Sequence, residues 1–157
     1  MYLRRHQAEI IELLAMHEEA IGQLYMLYSE KLPNKKDFWI SFYKEELDHA
    51  SWLRRLCPKI EKGLFEFNEG RFKLDIINKS LNIVKERIRK TEKGRINHIE
   101  ALWAALEIEN NILESKFCEI YKTDSEELSQ LLRGLEDSYK EHRNRLKKII
   151  DTISPTS

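Results

Sequence analysis

The chain is poor in the residues that interrupt regular structure, with five glycines and three prolines among 157 residues. That is too few for the many turns of a sheet protein and suits a handful of long helices. Cysteine is scarcer still. Cys57 and Cys118 stand far apart and form no CxxC, which argues against a disulfide framework and against a zinc or rubredoxin-type knuckle; a reducing cytoplasm is the simplest compartment. Net charge is lacking too. The 27 Lys+Arg balance 27 Asp+Glu, so no global field favours nucleic acid or an anionic membrane. No stretch approaches the roughly 20 apolar residues that a membrane span requires. The N-terminal MYLRRHQAEIIELLAMHEEA places basic residues ahead of an apolar stretch, but Glu9, Glu12 and His17 interrupt it and no small-residue cleavage site follows. It reads as part of the mature chain. The expectation is a soluble protein without nucleic-acid or membrane partners.

What the sequence does hold is helical periodicity, over a length that fits a single domain, 1–157. Ile10, Leu14, Ile21, Leu24, Tyr25 and Tyr28 recur at helical spacing until Pro33, predicting a first helix over about 3–31. Phe38, Trp39, Phe42, Leu53 and Leu56 predict a second over about 35–57, ended by Pro58. Residues 59 to about 72 carry no sustained period, whereas Leu74, Ile77, Leu81, Val84 and Ile88 predict a crossover helix over about 73–91. A stripe from Leu102 through Ala105, Leu106, Ile112, Leu113 and Phe117 to Ile120 predicts a helix over about 95–122, starting near Gly94 or Arg95. Thr123 or Asp124, each with a glutamate three residues on, forms a capping-box signature for the last helix, about 125–152. The fold class is all-α: two antiparallel helical hairpins joined by a long crossover, a four-helix-bundle arrangement.

The residues that break the apolar stripes carry the chemistry. His17 or Glu18 interrupts the first helix, Glu46 and His49 the second, Glu109 the third of the bundle, and Tyr139 with His142 the fourth. Helical rise tests whether they meet. At about 1.5 Å per residue, Glu18 lies about 22 Å before Pro33 and Glu46 about 18 Å after Asn34, so the two end at similar heights. The same arithmetic about Asp124 brings Glu109 level with Tyr139 and His142. Carboxylates buried at one level without a counter-charge would cost several kcal/mol each and repel one another, so a cation is expected between them. Glu46-Leu47-Asp48-His49 projects an oxygen and a nitrogen donor from one helix face, a mixture that suits iron or manganese. Zinc fits less well than two ions bridged by glutamates. His17 is expected at the boundary and His98 in solvent.

With these residues the sequence resembles the rubrerythrin-like branch of the ferritin-like superfamily. Those proteins draw one Glu from each of two helices and a Glu-x-x-His from each of the other two to bind a di-iron or di-manganese centre. The resemblance implies metal ligands at Glu18, Glu46, His49, Glu109 and His142, with Tyr25 seven positions after Glu18 where such proteins often place a tyrosine. It also implies a cytoplasmic, typically dimeric oxidoreductase that reacts with peroxide or dioxygen or oxidises ferrous iron. Because the chain has no CxxC pair, its electrons would come from a separate donor protein. One departure stands out: the second Glu-x-x-His is replaced by Tyr139-Lys140-Glu141-His142. Tyr139 is the candidate catalytic residue, since a phenolate can ligate ferric iron; Glu136, one turn earlier, is the alternative replacement. The competing reading is a helical scaffold or interaction protein that kept the bundle and holds no metal.

Overall fold

The computed structural model describes residues 2–63, 66–67, 74–114, 121–122 and 126–153. It is all-α apart from one very short ladder. Helix α1 spans Tyr2–Lys31 and α2 Lys36–Glu61, separated by a 3-10 turn over Pro33–Lys35. Leu32, before the proline, has φ −124° and ψ 71°, because proline keeps its predecessor out of the helical region. Helix α3 covers Leu74–Lys93, α4 His98–Glu114 and α5 Glu126–Ile153. Glu66–Phe67 (β1) pairs antiparallel with Tyr121–Lys122 (β2), Glu66 opposite Lys122 and Phe67 opposite Tyr121.

Three boundaries differ from the sequence expectation. Pro58 lies inside α2 and does not end it. The helix continues to Glu61 because Leu56 and Ile60 are buried against α1 and its neighbours; burying one such side chain contributes ~1.5–3 kcal/mol, comparable to the ~3 kcal/mol of a proline in a helix interior. The stop is Gly63, at φ 77°, whose N–H donates to the Ile60 carbonyl at 2.9 Å. Helix α4 begins at His98 rather than near Gly94, because Asn97 caps it. Its Oδ1 accepts the Glu100 N–H at 2.8 Å, and its Nδ2 donates to Glu100 Oε1 at 2.7 Å. The same helix is described as far as Glu114, and Tyr121–Lys122, expected within it, are strand. Phe117, Ile120 and the Thr123–Asp124 capping signature lie outside the described residues.

Helix α1 packs along both α2 and α3, and α4 packs on α5. The buried apolar side chains form two groups. One contains Ile10, Ile11, Ala15, Leu53, Leu56, Ile60, Ile77 and Leu135. The other contains Ile21, Leu24, Tyr25, Tyr28, Trp39, Phe42, Val84, Leu102, Ala105, Leu146 and Ile150. Along α1, α2 and α5 the turn between the two groups is polar, and that turn is the candidate site. Among the described residues no helix is long and apolar enough to cross a membrane.

Candidate metal centre

Four helices deliver five buried ligand-type side chains. They are Glu18 from α1, Glu46 and His49 from α2, Glu109 from α4 and His142 from α5, none more than 3% exposed. The three-residue spacing of Glu46 and His49 puts both on one face of α2. Two triads result, Glu18–Glu46–His49 and Glu46–Glu109–His142, and within each the ligand atoms lie within 4.8 Å of one another. Glu46 belongs to both. His49 Nδ1 is 3.4 Å from Glu46 Oε2 and 3.7 Å from Glu18 Oε2. His142 Nδ1 is 3.2 Å from Glu46 Oε1 and 3.5 Å from Glu109 Oε1. Each oxygen of Glu46 thus faces one histidine.

Two tyrosines hold the outer carboxylates. The Tyr139 hydroxyl donates to Glu18 Oε1 at 2.6 Å, and the Tyr25 hydroxyl to Glu109 Oε1 at 3.1 Å. The second oxygens, Glu18 Oε2 and Glu109 Oε2, are buried and accept no hydrogen bond from the described residues. A buried carboxylate oxygen without a donor costs free energy unless a cation meets it. One such atom stands in each triad.

Electrostatics distributes the charge unevenly. Burial, and then the charges of Glu18 and Glu109, push Glu46 well above the usual carboxylate range. Burial acts the same way on Glu18, but its close polar contacts with Glu46 and His49 and the His49 charge outweigh it and hold its carboxyl at about 2. For the histidines burial pulls down. Hydrogen bonds with Glu18 and Glu46 override it and lift His49 to about 10, and those with Glu109, Glu45 and Glu46 lift His142 to about 12. The cluster therefore attracts positive charge strongly.

Among the residues singled out from the sequence, Tyr139 reaches the cluster and Glu136 does not. Glu136 pairs with Lys140 at 3.3 Å and is 32% exposed. His17 is buried beside Glu18 but turns away, its Nε2 2.9 Å from Ser80 Oγ of α3. His98 is half-buried rather than solvated, and its Nδ1 accepts the Trp39 indole N–H at 3.3 Å. Sequence reasoning missed the groups behind the histidines. His142 Nε2 pairs with the Glu45 carboxylate, which Arg145 grips from its other side at 3.1 and 3.2 Å. His49 Nε2 is 2.7 Å from Ser138 Oγ. A signal for Glu45 was present: Phe42, Glu45, Glu46 and His49 follow the i, i+3, i+4, i+7 spacing of one helix face. Comparison with family models, with curated proteins and with solved structures finds no match for the chain.

Proposed function

We propose that this chain is a rubrerythrin-like member of the ferritin-like superfamily, its bundle formed by the α1–α2 and α4–α5 hairpins, and that it is a di-metal oxidoreductase. Peroxide or dioxygen, or ferrous iron as a substrate to be oxidised, is the reactant. The observation that carries this reading is the pair of buried triads sharing Glu46, each containing a carboxylate oxygen without a hydrogen bond. Carboxylate oxygen and imidazole nitrogen suit iron first and manganese second. When bound, two such ions would supply one electron each, so that one hydrogen peroxide takes up two electrons and two protons and leaves as two waters, a separate donor protein restoring the electrons.

The chain's own residues hold and shape that site. Glu46 would serve both positions and Glu18 and Glu109 would hold the outer sides, while the two histidines each present Nδ1 inward. The Tyr139 and Tyr25 hydroxyls are aimed at Glu18 Oε1 and Glu109 Oε1, leaving the other oxygen of each carboxylate for an ion. Leucine, isoleucine and aromatic groups above and below exclude bulk water. A homodimer is the assembly that goes with this family reading.

A second reading rests on a specific observation: two protonated histidines already place positive charge among the carboxylates. A metal-free scaffold could close its core in that way. Elemental analysis of protein purified without a metal-affinity tag separates the two. The di-metal reading expects about two iron or manganese ions per chain; no metal, with no anaerobic uptake of ferrous iron, sinks it. Glu46→Ala removes the shared ligand and is expected to abolish both positions, whereas Glu109→Ala is expected to abolish one. Unchanged stoichiometry in both variants would refute the ligand assignment.

A further inference from the structure

The two triads look alike in composition, yet the groups behind them differ. In both, the histidine turns Nδ1 to the carboxylates and Nε2 outward, and what meets Nε2 decides how firmly the ring is held and how strong a donor its other nitrogen is. Behind His142 stands a carboxylate. Glu45 faces Nε2, is gripped by both terminal nitrogens of Arg145, and cannot swing away without breaking that pair. Arg145 is itself fixed, its guanidinium 4.2 Å from the centre of the Phe42 ring. The opposite edge of the same packing is closed by His142, whose ring stands 4.9 Å from Phe42 at 67°. Behind His49 stands only a hydroxyl, Ser138 Oγ at 2.7 Å. A charged carboxylate in ion-pair contact with an imidazole favours its charged form and enriches the ring in electrons more than a neutral hydroxyl does.

The outer carboxylates differ in the same sense. Glu18 Oε1 takes a 2.6 Å hydrogen bond from Tyr139, whereas Glu109 Oε1 takes a longer one, 3.1 Å, from Tyr25. The shorter bond draws more electron density from the carboxylate that would serve the His49 position. Both differences favour the same triad.

Resting on the di-metal reading above, we propose that the two positions fill in order: the first ion enters Glu46–Glu109–His142, with Glu45 as the positioning residue for His142, and the second enters Glu18–Glu46–His49. The site is then an unequal pair in which one ion is resident and the other is the exchangeable partner. The replacement of a glutamate by Tyr139 falls on the exchangeable side.

Titration of the metal-free chain with Co2+, followed by its visible absorption, tests this. Two resolved steps would follow from repulsion between two cations alone, so the assignment rests on which variant moves which step. Glu45→Ala is expected to weaken the first step by about tenfold to hundredfold and to alter the absorption of the first ion, with Glu45→Gln, which keeps a polar oxygen of the same reach beside Nε2 but not the charge, recovering part of the affinity. Ser138→Ala is expected to weaken the second step and leave the first in place. Circular dichroism of each variant identifies any that fails to fold, and the glutamine variant then carries the test. A first step unmoved by both Glu45 variants, or one moved by Ser138→Ala, overturns the order. Wild-type chain that takes up no Co2+ at all overturns the di-metal reading itself, a result distinct from two ions bound in the wrong order.

Discussion

His49 and His142 hold the protons that an ion would have to displace. Their ordinary value near 6.5 is raised to about 10 and about 12, so in the metal-free chain both are charged at neutral pH. Stability from a raised histidine is fully present below 6.5 and is lost as pH rises through the raised value. An ion bound at Nδ1 would take the proton's place, so uptake is expected to release protons and metal affinity to rise with pH across the neutral range. Calorimetry of Mn2+ binding in two buffers of different ionisation enthalpy measures the release directly. Identical apparent enthalpies in both buffers would mean that the histidines are not ligands. Replacing Tyr139 by Phe would remove the donor to Glu18 Oε1 and leave a second buried oxygen of that residue without one, a change expected to cost about 1–3 kcal/mol in the metal-free protein and measurable by urea denaturation.

At the scale of the helices, α5 carries a glycine with no evident purpose. Gly134 is exposed in the helix interior, and a methyl group there would meet nothing within 4 Å. Gly134→Ala is expected to stabilise by about 0.5–1 kcal/mol, raising the Tm by roughly 1–4 °C; a lowered Tm would show that the glycine serves an approach or bend hidden from the static fold. The helices themselves were legible in the sequence because long apolar stripes at a period of 3.6 have few other solutions. Their ends were less so. Pro58 reads locally as a stop, and only the burial of Ile60 across the fold overrides it. Asn97 reads as one polar residue among several until Glu100 answers it. The two-residue ladder pairs Glu66 with Lys122 and Phe67 with Tyr121, far apart in the chain, and has no local signature. The five ligand-type residues were legible because each breaks an apolar stripe, and a charged group in such a place has to be answered. Ser138 and Arg145 break nothing, and Glu45, although it shares a face with Glu46 and His49, gains its role only when α2 and α5 lie side by side and bring it to His142 and Arg145.

Across the whole molecule, the centre is made of distant parts. Its hydrogen-bonded pairs are separated by 84 residues for Tyr25–Glu109, 89 for His49–Ser138, 96 for Glu46–His142 and 121 for Glu18–Tyr139. The α1–α2 hairpin can form from neighbouring sequence, whereas the centre needs the ends of the chain brought together, and such closures come late because their entropy must be met first. An ion at the centre would therefore stabilise the native state and not the folding transition state. At a concentration a hundred times its Kd it adds about 2.7 kcal/mol, and if all of this falls on the unfolding limb, unfolding slows about a hundredfold while the refolding rate stays where it was. Stopped-flow refolding and unfolding with and without Mn2+ would show it; a metal-accelerated refolding phase would place the centre early instead. Because Glu46 serves both positions, the metal would act as a clock on the native state, setting how long the finished chain persists without altering how fast it is made.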